Sequence, residues 1–229
     1  MPVWVIDILS RLNSTFIVAG RWKMFLSGLG YTLLISLFSI ILGLVIGIIM
    51  ALMRLSKNKV LRGISGIYID IIRGTPTMVQ LLIIYFIIFA KVPIPQWIVG
   101  CIAFGINSGA YMAEIVRGGI LSISIGQTEA GRSLGMTSRQ TMSSIVMPQA
   151  MKNILPAMGN EFVVLIKETA VIGMISSIDL VGAAQQVQSR TYDYLVPLLS
   201  IAVIYYAVIK IISIVLNKLE SGMRKADKR

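Results

Sequence analysis

The chain has 229 residues, of which 56% are hydrophobic and 14% charged, and its formal net charge is +11. Soluble domains average about 45–50% apolar and about 25% charged residues, and here the apolar residues fall in long runs, so the composition indicates an integral membrane protein. The basic residues lie between those runs without a nucleic-acid recognition motif, which favours a membrane surface over nucleic acid as their partner. The sequence holds no histidine and one cysteine, Cys101, which excludes histidine-based catalysis, a histidine metal site and a disulfide framework.

Residues 1–24 precede the first long apolar run and are predicted to form an amphipathic segment. Val3, Ile6, Leu9 and Leu12 recur at helical spacing with polar residues between them. The pattern fits a short helix lying on the outer membrane surface or an extra helix packed against the bundle. The segment lacks the basic start and apolar core of a cleavable signal peptide.

Five segments are apolar over the roughly 20 residues that a helix needs to cross a bilayer core about 30 Å thick. The sequence therefore predicts an all-α, polytopic membrane protein with one transmembrane domain, residues 25–217, followed by a basic tail, residues 218–229. The five predicted transmembrane helices cover residues 28–53, 64–90, 96–116, 154–178 and 195–216.

Lysine and arginine predict the orientation, because they are enriched in cytoplasmic loops. Thirteen lie after the first span, between the third and fourth spans, or in the tail, and five lie on the opposite side. The N-terminus and residues 1–24 are therefore predicted to be extracellular, and the tail and the loop of residues 118–150 to be cytoplasmic.

Small residues recur at four-residue spacing in the first and third predicted spans. They are Gly43, Gly47 and Ala51 in the first span, and Gly105, Gly109 and Ala113 in the third. Such residues let helices approach closely in lipid. The pattern fits packing inside one subunit or contact between two subunits.

The loop of residues 118–150 is too long to be structureless in a compact protein. A first helix is predicted from Glu129 to Leu134, ending at Gly135 as its C-terminal cap. Ser138 is predicted to cap a second helix, residues 139–146, which stops before Pro148.

The stretch GQTEAGRS, residues 126–133, resembles a phosphate-binding loop with arginine in place of lysine. That motif functions only between a buried strand and a helix. No strand is predicted before it, so nucleotide binding by this chain is not expected.

The same loop resembles the EAA coupling motif of ABC importer permeases. Its residues are Glu129, Ala130 and Gly131, then Gly135, with Pro148 at the usual distance. Further matches, in the same order as in the polar amino acid permease family, are YTLLIS at 31–36, RGTP at 73–76, Gln80 and Leu81, AYMAEIVRGGI at 110–120, NEF at 160–162 and KET at 167–169. Two departures are Gly131 at the third EAA position, and Ala170 and Val171 where serine and leucine are commoner.

The resemblance implies the type I fold of ABC importer permeases, in a bacterial cell membrane. It implies that Glu129, Ala130, Gly131, Arg132, Gly135 and Met136 form a short helix that docks on a separate ATPase subunit. Small residues there would allow close approach, and Gly135 would fix the angle to the next helix. The implied partners are that ATPase, an extracellular amino-acid-binding protein and a second permease copy, identical or a sister chain. ATP and Mg²⁺ would be held by the ATPase, with no cofactor in this chain and no catalytic residue.

Several ionisable residues lie inside predicted spans, where they are costly and usually functional or paired. Asp70 and Arg73 are three residues apart, as are Glu114 and Arg117, which predicts an intrahelical ion pair in each case. Lys210 can extend to the inner surface. The remaining charges are Glu161, Lys167 and Glu168, and Glu168 is counted with the structural ones.

Glu161 lies seven residues into the fourth predicted span, about 10 Å deep at 1.5 Å per residue. A path bounded by Asn107, Tyr111, Glu161 and Lys167 would suit a zwitterion, since the carboxylate can bind an amine or guanidinium. The alternative is a structural ion pair of Glu161 with Lys167, Arg73 or a second subunit.

Two other classes of membrane protein fit less well. A secondary, ion-coupled amino acid transporter would show inverted repeats and interrupted helices, whereas five spans without internal similarity are predicted here. An intramembrane enzyme would need a nucleophile and base or metal ligands, which the sequence does not supply.

Overall fold

The computed structural model describes residues 2–176 and 178–226, and for residues 223–226 only the backbone. The described chain is helical throughout, without a strand. Its α-helices are α1 (Val3–Leu12), α2 (Trp22–Leu55), α3 (Lys59–Arg73), α4 (Thr77–Ile83), α5 (Gln96–Leu121), α6 (Ile125–Ser133), α7 (Ser138–Thr141), α8 (Met147–Glu168), α9 (Leu180–Thr191) and α10 (Leu195–Ala226). Three π-helical turns cover Asn13–Ile17, Ile84–Ile88 and Met142–Val146, and 3-10 segments cover Val18–Gly20 and Thr169–Ile175. Ser177 of the predicted fourth span, and residues 1 and 227–229 at the two ends, lie outside the described residues.

The bundle is built around the contact between α2 and α5, where glycines replace side chains. A Cβ on Gly43 would lie 3.0 Å from the Cβ of Ser108, and one on Gly109 would lie 2.8 Å from Cγ2 of Ile46. The repeated small residues therefore serve helix packing within one subunit, as one of the two interpretations predicts. Around this seam lies a core of buried side chains from α2, α4, α5, α8 and the 3-10 segment, including Ile35, Leu81, Phe104, Leu165 and Ile172.

The second predicted span is not one continuous helix. Helix α3 ends at Arg73, and α4 begins at Thr77, with the two axes bent by 106°. Pro76 precedes α4 and has no N–H to continue the α3 ladder. Residues 59–88 therefore form a bent pair rather than a straight rod across the membrane.

Within residues 2–176 and 178–226, four helical stretches are long and apolar enough to cross a membrane, and the bent pair would be a fifth. The four are Val3–Gly20, Trp22–Leu55, Gln96–Leu121 and Leu195–Gly222. Helix α8 is not among them, because Lys152, Asn153, Asn160 and Glu161 lower its hydropathy. The predicted fourth span thus corresponds to a polar helix, Met147–Glu168, and a 3-10 segment rather than to an apolar helix ending at residue 178.

Helix α1 extends away from the bundle with no buried residue. Arg11 forms ion pairs with Asp7 at 2.9 Å and with Asp193 at 3.7 Å, which connects α1 to the start of α10. At the same end of the bundle, Asp179 accepts a hydrogen bond from the backbone N–H of Gly182 at 2.8 Å and begins α9. The apolar side chains of α1 stay exposed, and Val3–Gly20 is also long enough to cross a membrane, so the surface position of this segment stays a prediction.

Candidate functional site

The polar segment of residues 122–146 folds as two short helices joined by a glycine turn. Helix α6 begins at Ile125, four residues before the predicted start, and ends at Ser133. Gly135 has φ +81°, and the N–H groups of Gly135 and Met136 donate to the carbonyls of Arg132 and Gly131 at 3.0 and 3.1 Å. This bonding pattern is a Schellman motif, which requires a left-handed residue after the helix. The predicted role of Gly135 as the cap is thus confirmed.

The second short helix differs from the prediction in its cap and in its end. Thr137, not Ser138, is the N-cap, and it forms a capping box with Gln140, whose side chain accepts from the Thr137 N–H at 2.8 Å. The helix also does not stop before Pro148. A π turn at Met142–Val146 opens the hydrogen-bond ladder ahead of Pro148, and the chain continues directly into α8.

Gly131 points into the subunit rather than away from it. It is buried, and a Cβ at this position would lie 2.8 Å from Cδ1 of Ile145 and 2.9 Å from Cγ2 of Thr141. The interpretation that Gly131 allows close approach of another subunit is therefore corrected. The missing side chain lets α6 lie directly on the turn that follows α7.

The outward face of α6 combines charged and apolar side chains. Glu129, Ala130 and Arg132 are exposed, and Ile125 and Leu134 are 74% and 82% exposed. Arg132 also donates to the carbonyl oxygen of Met136 at 2.6 Å, which fixes the turn at the end of α6. A rigid, amphiphilic helix end is a surface suited to docking in a groove of a partner protein.

Three charged side chains form a cluster where α3 and α5 approach each other. Glu114 accepts hydrogen bonds from Arg117 at 2.7 and 3.0 Å, so this predicted pair is confirmed. Its second partner is Arg73, at 4.0 Å, whose guanidinium also lies 5.3 Å from the ring centroid of Tyr111. Among the described residues Arg73 thus pairs across helices with Glu114 and not with Asp70, and the predicted Asp70–Arg73 pair is wrong.

Glu161 contacts α5 through a residue that the sequence did not single out. Oγ of Ser108 donates to Oε1 of Glu161 at 3.2 Å. Within the described chain Glu161 has no lysine or arginine within 4.0 Å, so the proposed ion pairs with Lys167 and Arg73 are not formed in this subunit. Glu161 is only partly buried and remains open to a ligand or to another chain.

Asn107 and Lys167, two of the residues predicted to line a path, form no hydrogen bond or ion pair with Glu161. Asn107 is 1% exposed, and its Nδ2 donates to Oε1 of Gln80 at 3.0 Å, so it does not line an open path in this structure. Lys167 is exposed, and Glu168 lies beside Thr77. Ser108 could have been found only from its position, one residue after Asn107 and about 100° around α5 from it.

A crevice of about 670 Å³ lies between α2, α8 and α10. Its lining is mainly apolar and includes Leu44, Met158, Gly159 and Leu216, but neither Glu161 nor Asn107. This crevice is therefore not the polar path predicted around Glu161.

The sequence matches a protein family described as the binding-protein-dependent transport system inner membrane component, over residues 43–225. It is 42% identical over 194 residues to the putative glutamine transport system permease protein GlnP of Rickettsia typhi, covering 84% of this chain and 89% of that one. It is 37% identical over 204 residues to the arginine transport system permease protein ArtQ of Bacillus subtilis, covering 88% of this chain and 93% of that one.

Two solved structures have the same fold as this chain. A crystal structure of an amino acid ABC transporter with histidines superposes with a TM-score of 0.84 at 42% identity, covering 89% of this chain and 96% of that one. The MetNI methionine ABC transporter in an inward-facing conformation gives a TM-score of 0.68 at 20% identity over 90% of this chain and 95% of that one, which shows the shared fold alone. The chain therefore belongs to the family of binding-protein-dependent transport system inner membrane components, the permease subunits of ABC importers.

Proposed function

We propose that this permease imports polar or basic amino acids and is driven by a separate ATPase subunit that binds α6. The proposal is based on how α6 is packed and on which of its faces is exposed. Its inner face is fixed by Gly131 against Thr141 and Ile145, its end is fixed by the left-handed turn at Gly135, and its outer face is exposed. Because these contacts hold α6 rigidly, a movement of α6 would move α7 and α8 with it.

The substrate class follows from Glu161 and from the relatives. A half-buried carboxylate without a cationic partner among the described residues favours a ligand that carries an amine or guanidinium. The names of the relatives concern glutamine and arginine, which are polar amino acids with amide or guanidinium side chains. Glu161, with Ser108 beside it, is the residue we assign to substrate contact.

A second permease copy would supply the opposite side of the path at Glu161. Lys167 is exposed near the outer end of α8, where lipid would be an unfavourable neighbour for a charge. An extracellular binding protein would deliver the amino acid to this face. ATP and Mg²⁺ would be bound by the ATPase subunits, whose closure brings the two α6 helices together and switches access to the path.

Reconstitution in liposomes tests this proposal. The permease, its ATPase and the binding protein are expected to accumulate labelled arginine or glutamine only when ATP is enclosed on the ATPase side. Omission of the ATPase should abolish uptake. Uptake that persists without the ATPase and follows an ion gradient would instead establish the secondary transporter considered from the sequence.

The orientation is tested separately by cysteine labelling in intact cells. Cys101 is buried and gives little background. With α6 in the cytoplasm, Ser133→Cys is expected to react with a membrane-impermeant maleimide only after permeabilisation. Lys91→Cys, in the connection between the bent pair and α5, is expected to react in intact cells. The reverse pattern would invert the proposed topology.

A further inference from the structure

A glutamine side chain forms hydrogen bonds across the bend between α3 and α4. Gln80 lies in the second turn of α4 and is 7% exposed. Its Nε2 lies 2.7 Å from the carbonyl oxygen of Ile72, 3.1 Å from that of Thr75 and 2.7 Å from Oγ1 of Thr75. The side chain therefore reaches back across the break and bonds to the backbone of the helix that has just ended.

These bonds account for carbonyl groups that the end of a helix leaves without partners. The carbonyl of Asp70 accepts from the Gly74 N–H at 2.9 Å, and that of Ile71 accepts from Oγ1 of Thr75 at 2.8 Å. The carbonyl of Ile72 accepts from Gln80. The break is therefore closed by hydrogen bonds at three successive carbonyls, which is the behaviour of a rigid bend rather than of a flexible hinge.

The same amide connects the bend to α5. Nδ2 of Asn107 donates to Oε1 of Gln80 at 3.0 Å, and both side chains are buried. The three acceptors around Nε2 fix the orientation of the Gln80 amide, and its oxygen then fixes the orientation of Asn107. In addition, Oη of Tyr68 on α3 donates to the carbonyl of Ile106 at 2.6 Å. Helix α5 is thus hydrogen-bonded to both sides of the break.

We propose that Gln80 is a positioning residue that locks α3, α4 and α5 into one rigid unit, which moves as a whole when the permease switches access. The bend sets where Arg73 lies, and Arg73 contacts Tyr111 and Glu114 on α5. Switching then occurs by movement of this unit as a whole, and not by straightening of the second span. This inference rests on the proposed ATP-driven function.

The wild-type bend can be tested directly in the reconstituted complex with permease, ATPase and binding protein. Spin labels at Ile67→Cys on α3 and Ile87→Cys on the π turn after α4 lie at exposed positions on the two sides of the break. The label-to-label distance is expected to be the same without nucleotide and with ATP trapped in the complex. A shift of about 5 Å, one helical turn, would overturn the proposal.

The labelled complex must also show ATP-driven uptake. Absence of uptake in the labelled and unlabelled complexes alike would count against the proposed function, whereas uptake with a changing distance counts against the rigid bend alone. The two failures are therefore distinguishable.

Substitutions at the bend provide a second, independent test of the proposal. Gln80→Leu keeps a similar volume but removes the amide, so the distance distribution should broaden and the amount of substrate moved per ATP hydrolysed should fall at least about fivefold. Thr75→Val, which removes the hydroxyl that accepts from Gln80, should give a smaller change in the same direction. Thr75→Ser, which keeps the hydroxyl, should retain wild-type coupling. Gln96→Leu, at the exposed start of α5, is the matched control. Equal coupling in Gln80→Leu and Gln96→Leu would overturn the proposal.

Discussion

Gly47 on α2 lies so close to Met112 on α5 that a Cβ on residue 47 would overlap the Cβ of Met112. Gly47→Ala should therefore force the two central helices apart and destabilise the permease by about 1–3 kcal/mol, the usual cost of overpacking. Thermal unfolding in detergent measures the loss. Gly30→Ala, on the same helix with open space around it, is the control and should leave the melting temperature unchanged or raise it slightly, because alanine favours a helix over glycine. Equal melting temperatures for the two variants would show that this contact is not tight.

Gly131→Ala should weaken coupling more than it weakens folding. The new methyl group meets Ile145 and Thr141 and displaces α6 from the turn below it. We expect ATP-driven uptake to fall about tenfold while the permease remains extractable and monodisperse. Adding Ile145→Val should recover part of the loss because it removes the nearest atom. Gly126→Ala, on the exposed side of α6, serves as the control, and an equal effect of both substitutions would contradict the packing argument.

Gly135 has open space around it but a left-handed backbone, so its substitution tests conformation alone. An L-residue costs about 1–2 kcal/mol in this region, and asparagine costs least. The fraction of ATPase that co-purifies should follow the order glycine, asparagine, alanine, valine. Retention of full ATPase binding and uptake by the valine variant is the result that would refute the docking of α6.

Glu161→Gln should raise the KM for a cationic amino acid about tenfold, which corresponds to about 1.4 kcal/mol of lost binding. The KM for glutamine should change less, because its side chain carries no charge. Ser108→Ala removes the hydrogen bond to Glu161 but keeps the carboxylate, so we expect a smaller rise in KM. Unchanged uptake kinetics in Glu161→Gln would remove this residue from the substrate path.

Substitutions of Glu114 and Asp70 test whether Arg73 pairs with Glu114, as the structure shows, or with Asp70, as the spacing along the sequence predicts. Glu114→Gln removes the charge that Arg117 and Arg73 share and should lower the unfolding free energy by about 1–3 kcal/mol. Asp70→Asn should have no measurable effect, since the exposed Asp70 carboxylate forms no ion pair with a described residue. If Asp70→Asn were the more damaging change in a thermal shift assay, the pairing of Arg73 would be with Asp70 after all.

Local signals were sufficient for part of the site. Gly135 was predictable as a cap because a positive φ is strongly selective for glycine at a helix end. The pair of Glu114 and Arg117 was predictable because residues three apart on a helix are neighbours. The end of the second short helix and the start of α8 were not, because the π turn at Met142–Val146 carries the helix past Pro148, where the sequence alone predicts a stop.

By itself the sequence determined that this protein is a helical membrane protein, since apolar run length acts through local or additive physics, and the resemblance of its ordered motifs to a known family indicated a permease. Only the tertiary structure decided which surfaces those residues occupy. It turned Gly131 inward against Ile145, moved Arg73 from Asp70 to Glu114, and bound Asn107 to Gln80 at the bend. Each of these contacts joins residues on different helices or turns, and Arg73 also had two possible carboxylate partners. Spacing along a single helix could therefore not specify them.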